Sequence, residues 1–196
     1  MKQNHRYIHN TYLKTRLFTH LDTLFDNYAK ILMLRIDLGY LQYSEAFSLQ
    51  DEKEMAWQMT LLTEQLTTHT DVIGFAWVME NSEQHGIHIH ATFYLDGQRH
   101  RKIWNTWQMI NSLWIDITER EGYTHRCTPQ SHYRVRGEWV IRHDDRRGRN
   151  GMNYILSYLS KVDQKEAKLI YQLSDIPERS RRGRPRRKFE SKITGR

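Results

Sequence analysis

Read as a strand, Gly86-Ile87-His88-Ile89-His90-Ala91-Thr92-Phe93-Tyr94-Leu95-Asp96 puts both histidines on one face and Ile87, Ile89, Ala91, Phe93 and Leu95 on the other. Two imidazoles side by side can share a metal ion, while the apolar row opposite gives the strand a reason to be buried. A spaced histidine pair arises easily by chance in a chain with 11 histidines among 196 residues, so a second signal is needed. It comes in Gly151-Met152-Asn153-Tyr154-Ile155-Leu156-Ser157-Tyr158-Leu159-Ser160-Lys161, where helical spacing sets Tyr154, Tyr158 and Lys161 along one stripe and Ile155, Leu156 and Leu159 around the other side. Two phenols and an ammonium thereby share a surface.

The elements that must position these groups follow from periodicity. Tyr12, Leu13, Leu17, Leu21, Leu24, Phe25 and Tyr28 predict an amphipathic helix near 11–28, followed by a strand near 30–40. Met55, Met59, Leu62 and Leu66 mark a helix at 51–69, and Ile73, Phe75, Trp77 and Met79 alternate in a strand that ends at Glu80. The turn-rich Asn81-Ser82-Glu83-Gln84-His85-Gly86 leads into the histidine strand as a hairpin. Ile103, Trp104, Trp107, Ile110 and Trp114 predict a helix at 101–120, then a strand at 137–142 and the tyrosine helix.

This order, β-α-β-β-α-β-α after an N-terminal helix, predicts an α+β fold with a ferredoxin-like or RRM-like βαββαβ core, an antiparallel sheet and a C-terminal helix. The strands starting at 30 and 86 become the central pair, with crossover helices on one sheet face and the other face free. Leu32, Leu34, Ile36 and Leu38 then face the core, and Arg35 and Asp37 share the second face with His88 and His90. The hairpin brings Glu80 to the same place, and its row-mates Gly74 and Ala76 are small enough to leave room for another element. Two imidazoles and one carboxylate form a three-ligand site for a divalent cation, with positions open to phosphate oxygens, as Mg²⁺ or Mn²⁺ requires. Asp37 is a secondary candidate that would orient a histidine or join the ligand shell, and Arg35 could contact phosphate; an Asp–Arg structural pair explains both equally well.

A hydrophobic content of 38% with six tryptophans supports one domain with appendages: a helical extension at 1–29, the main domain at 30–165, and a C-terminal segment at 166–196 ending in a basic tail. The start of the chain lacks an apolar signal region, no stretch approaches a membrane span, and the single cysteine, Cys127, excludes an intrachain disulfide; these readings favour an inert thiol and the cytoplasm. The net charge of +7 sits entirely between Glu178 and Arg196, which holds nine basic and two acidic residues; the remainder has 21 of each. Such a tail favours a polyphosphate partner through counterion release. Within it, Arg182, Gly183, Arg184 and Pro185, with Arg186 following, resemble the core of an AT-hook, an arginine-rich segment that lies in the narrow minor groove of A·T-rich DNA. Arg134, Arg136, Arg142, Arg146, Arg147 and Arg149, ahead of the tyrosine helix, are further candidate DNA contacts, with a solvated charged loop as the alternative.

Over roughly residues 30–162 the chain resembles the HUH endonucleases, in particular small rolling-circle replication initiators. His88-Ile89-His90 matches the HUH motif, Glu80 stands where these proteins often place a third ligand, and Tyr158-Leu159-Ser160-Lys161 matches their Tyr-x-x-Lys motif. Leu34-Arg35-Ile36-Asp37-Leu38, followed by the histidine strand and a paired-tyrosine helix, looks like the inovirus-type replication proteins of filamentous phages and integrated prophage elements. The doubled tyrosine is also similar to the gene A proteins of isometric single-stranded DNA phages, whose helix carries two Tyr-x-x-Lys units; here Ser157 replaces the first lysine.

The resemblance implies site-specific nicking and joining of single-stranded DNA at an origin, in the cytoplasm of a bacterial host, with origin duplex DNA as a further partner. It makes Tyr158 the nucleophile, Lys161 the residue that positions the phosphate, and Tyr154 either a second nucleophile or a packing and stacking residue. A phenol with a pKa of about 10 is a poor nucleophile at neutral pH, which is why such chemistry needs a cation on the phosphate. No Gly-x-x-x-x-Gly-Lys-Ser/Thr pattern is present, so replication would borrow a host helicase. The alternatives are an HUH relaxase or transposase of another mobile element, or a catalytically silent DNA-binding regulator. A His-x-His amidohydrolase barrel is excluded because it needs about 250 residues.

Overall fold

The structure is a computed structural model that describes residues 8–83, 85–128, 138–161 and 169–176. Eleven regular elements follow in order: α1 (Thr11–Asn27), β1 (Lys30–Tyr40), α2 (Glu45–Leu49), α3 (Glu52–His69), β2 (Val72–Ser82), β3 (Gly86–Asp96), α4 (Trp104–Ile117), β4 (Gly122–Arg126), β5 (Val140–Arg142), α5 (Arg146–Ser157) and β6 (Tyr171–Leu173), with a 3₁₀ turn over Tyr158–Ser160. The fold is α+β, with helices flanking a six-stranded antiparallel sheet of order β4-β1-β3-β2-β6, as expected of a ferredoxin-like or RRM-like core. β5 pairs with the first residues of β1, on the edge that β4 occupies further along.

Local sequence explains the main boundaries. Asn10 caps α1 by accepting from the Leu13 amide at 3.0 Å, and Asp51 caps α3 by accepting from Lys53 and Glu54. Asp145 accepts from the Gly148 amide at the start of α5. The β2–β3 hairpin ends at Gly86, whose φ of +59° suits glycine; the Gln50 side chain accepts from the Ile87 amide at 2.7 Å and lies where a Gly86 Cβ would project.

One face of the sheet buries Leu32, Leu34, Ile36, Leu38, Phe75, Trp77, Met79, Ile87, Ile89 and Phe93 against α3 and α4, as the alternation predicts. Trp114 of α4 is fully buried and donates from Nε1 to the Gly39 carbonyl, tying that helix to β1. Ile73 departs from the expected row: a register shift between Val72 and Gly74 puts Val72 in this core and Ile73 on the opposite side.

The expectation of a free second face is corrected. α1 and α5 lie over it, packing Leu21, Leu24, Phe25, Met152 and Leu156 against Ile31, Met33 and Tyr94, while Leu13, Leu17 and Leu159 meet Ala76 and Val78. Each such side chain contributes roughly 1.5–3 kcal/mol of burial, enough to outweigh exposure of the amphipathic faces. The small residues of β2 make the space, since a Cβ on Gly74 would come within 3.2 Å of Leu24. α1 and β6 lie outside residues 30–165, yet both complete this layer, β6 by pairing with Ala76, Trp77 and Val78. Beyond the helices the same face turns polar, and the candidate site begins there.

Candidate functional site

Strand register builds the site in rows. Asp37 of β1 pairs with His90 of β3, and the next row of that face sets Gly39 opposite His88 and His88 opposite Glu80 of β2. Antiparallel pairing thus turns three separate stretches into one cluster. Glu80, His88 and His90 are 5–6% exposed, and each offers a ligand atom within 4.8 Å of the others. The group could hold a metal ion.

The tautomers suit that role. His88 Nδ1 donates to the Gly86 carbonyl at 3.0 Å, and His90 Nδ1 donates to Asp37 Oδ1 at 2.5 Å, so Nε2 is the nitrogen that each ring could offer to an ion. His90 Nε2 lies 3.3 Å from Glu80 Oε2, near the ~3.0 Å edge of an octahedron with ligands at about 2.1 Å. Burial disfavours the imidazolium of both rings and pulls His88 down; at His90 the hydrogen bonds to Asp37 and Glu80 outweigh burial and the pKa rises. An imidazolium at His90 would donate to Glu80 through Nε2, the position a divalent cation would take. Burial works against the Asp37 carboxylate, but the His90 hydrogen bond, with Arg35 at 3.6 Å, holds it well below the usual carboxylate range. Asp37 therefore acts on His90 from behind.

The tyrosine arrives from the opposite direction. α5 stops at Ser157 and tightens into the 3₁₀ turn, with Leu156, Leu159 and Ser160 fully buried. The start of α1 clamps this turn: the Asn10 amide donates to the Ser160 carbonyl at 2.7 Å, and His9 Nδ1 lies 3.0 Å from the Ser160 hydroxyl. With Leu159 pinned inward, Tyr158 faces the histidines, its ring 5.4 Å from that of His90 at 80°. The Arg35 guanidinium lies 4.0 Å from the centre of that ring and Lys161 Nζ 3.6 Å. Burial raises the Tyr158 pKa and the charge of Arg35 opposes it, while Asp37 and Glu80 push it further up.

No family model, curated protein or solved structure matches the chain.

Tyr158, His88, His90 and Asp37 line a cleft of about 1050 Å³, together with Tyr123 and His125 of β4 and residues of the β2–β3 turn. Tyr154 is not among the lining residues; it stands 60% exposed on α5. The α-helix ends before Tyr158 and Lys161 follows the turn in extended conformation, yet Lys161 Nζ still meets the Tyr158 ring as the expected stripe requires.

The arginines divide. Arg35 belongs to the site, whereas Arg149 pairs with Asp22 at 2.6 Å and stacks 4.8 Å from the Phe25 ring, fastening α5 to α1. Arg142 is exposed and paired through two bonds with Asp144, and Arg146 and Arg147 are exposed at the start of α5. Arg134, Arg136, Arg182, Arg184 and Arg186 lie outside the described residues. Among the described residues no helix is long and apolar enough to cross a membrane.

Sequence reasoning missed β4, which brings Tyr123, His125 and Cys127 to the cleft side; their strict alternation in Gly122-Tyr-Thr-His-Arg-Cys was the available signal. Gly39 is required beneath them, because a Cβ there would stand 2.9 Å from the Tyr123 ring. Cys127 donates from Sγ to Asp37 Oδ2 at 3.3 Å, and burial pushes its thiol up to about 12, so it is no ready nucleophile.

Proposed function

We propose that the chain is a metal-dependent endonuclease of the HUH type that nicks and rejoins single-stranded DNA to initiate rolling-circle replication of a phage, satellite or plasmid. The observation that carries this reading is the approach of the Tyr158 ring to His90, a member of a buried two-histidine, one-carboxylate cluster. A phenol used only for packing has no need of Arg35 and Lys161 against its ring.

In this reading Glu80, His88 and His90 would hold Mg²⁺ or Mn²⁺, which would supply positive charge to polarise a scissile phosphate and offset the charge that develops on it. Tyr158 Oη attacks phosphorus, the bond from phosphorus to the 3′-oxygen breaks, and the phenolic proton is in balance delivered to that oxygen. The products are a 5′-phosphotyrosine and a free 3′-hydroxyl, so the bond energy is kept and the reverse reaction rejoins strands. Arg35 opposes the effect of burial on the phenol and Lys161 neutralises phosphate charge beside it. Tyr158 is the nucleophile; Tyr154, exposed on α5, serves as a surface for base stacking. Arg142, Arg146 and Arg147, with the basic tail, supply phosphate contacts to the strand and to origin duplex DNA, and a host helicase opens the duplex.

The test is incubation with a random-sequence single-stranded oligonucleotide library and Mn²⁺, resolved on a denaturing gel. Wild type and Tyr154→Phe form a covalent protein–DNA adduct and Tyr158→Phe does not; an adduct undiminished in Tyr158→Phe overturns the proposal.

A further inference from the structure

We propose that Asp37, His125 and Cys127 form a second cation site, built for a borderline-soft ion of the Zn²⁺ class and separate from the Glu80–His88–His90 cluster. Pairing in register sets Asp37 of β1 opposite His125 of β4. The Cys127 amide extends the pairing by donating to the Arg35 carbonyl at 3.1 Å, which returns Cys127 to the same side two residues on. One ligand atom from each of the three lies within 4.8 Å of the others.

Two of the three donor separations come near those of a tetrahedral ion. Zn–S of about 2.3 Å and Zn–O or Zn–N of about 2.0 Å require donor atoms about 3.3–3.5 Å apart. Cys127 Sγ lies 3.3 Å from Asp37 Oδ2, and His125 Nδ1 lies 3.7 Å from the same oxygen. The two clusters use different oxygens of Asp37, since Oδ1 accepts from His90 and Oδ2 faces Cys127 and His125. Binding exchanges the thiol proton, released to solvent, for a metal–sulfur bond, with no change of oxidation state. A thiolate ligand excludes Mg²⁺ and selects Zn²⁺ or Co²⁺, so the two sites differ in the metals they take. His125 is exposed toward the cleft, which leaves a fourth position open to water or a phosphate oxygen.

The test uses the reduced full-length protein titrated with Co²⁺, with thiolate-to-cobalt charge-transfer absorption as readout, and Zn²⁺ stoichiometry by equilibrium dialysis. Wild type and the His88→Ala/His90→Ala double variant both show the charge-transfer band. Cys127→Ser and His125→Ala lose it while keeping the wild-type circular dichroism. Cys127→Ser also binds one Zn²⁺ fewer than wild type. No band in folded wild type, or a band that survives His125→Ala, overturns the inference. Because the double-histidine variant retains the band, failure of the nuclease reading and failure of this site are separately visible.

Discussion

Replacing Asp37 by Asn keeps the side chain's shape and removes its charge, which isolates what the carboxylate does for His90. The 2.5 Å bond from His90 Nδ1 to Asp37 Oδ1 joins a buried imidazole to a carboxylate held firmly ionised. A hydrogen bond to a charged group is worth about 1.5–3 kcal/mol against about 0.5–1.5 kcal/mol for a neutral pair, so the substitution removes roughly 1–1.5 kcal/mol of support for Nε2 as a ligand. At 1.4 kcal/mol per factor of ten that is roughly a tenfold loss of affinity, at the low end of the 10- to 100-fold range for residues that orient a metal-binding histidine. Mn²⁺ binding followed by electron paramagnetic resonance gives the affinity directly. At saturating Mn²⁺ the DNA-nicking rate should recover this loss, while removal of the Asp37 charge lowers the Tyr158 pKa and moves the pH profile of nicking to lower pH. An Mn²⁺ affinity changed by less than about twofold would refute the argument that the Asp37 charge supports His90 as a ligand.

Arg35→Leu removes the charge that opposes burial at Tyr158, so the phenol pKa rises further and the pH profile of adduct formation moves to higher pH; a uniform fall in rate with an unmoved profile would count against this role. Leu159→Ala, at a fully buried position that anchors the tyrosine turn, should destabilise by about 2–5 kcal/mol in urea unfolding, and a loss under about 1 kcal/mol would mean the turn is held otherwise. His20 is buried with Nε2 3.0 Å from the Ser174 carbonyl, and burial lowers its pKa below that of the unfolded chain. Its contribution is therefore complete above about pH 6.5 and lost as the pH falls from there through the lower folded value, where only the unfolded chain takes the proton. His20→Gln, which can still donate to Ser174, should flatten the fall in unfolding midpoint between about pH 7 and pH 5 relative to wild type.

The sheet's central strands were legible because β1 from Leu34 to Leu38 and β3 from Ile87 to Phe93 alternate between apolar and polar residues, and their pairing follows from the split βαβ order. The Glu80–His88–His90 cluster was legible for the same reason: once the hairpin is placed, the parity of Glu80 and His88 follows. What escaped notice depends on partners far away in sequence. β6 is three residues long, too short for periodicity to stand out, and exists through pairing with β2; β4 alternates over five residues but carries no apolar row to mark it, and exists through pairing with β1. The bulge that displaces Ile73 has no pattern of its own. The change from α-helix to 3₁₀ turn at Tyr158 was not legible because Tyr158, Leu159 and Ser160 continue a helical pattern in sequence, while the clamp from His9 and Asn10 lies about 150 positions earlier. α1 was read as an extension, although its leucine row is what closes the second face.

The central claim is that Tyr158 is the group that takes the phosphate. Trypsin cutting after Arg149 and Lys161 releases both tyrosines in one peptide, so fragmentation of that peptide from the DNA adduct by tandem mass spectrometry places the modification. The phosphonucleotide mass should fall on Tyr158 alone; its appearance on Tyr154 or on any residue outside residues 150–161 would contradict the account.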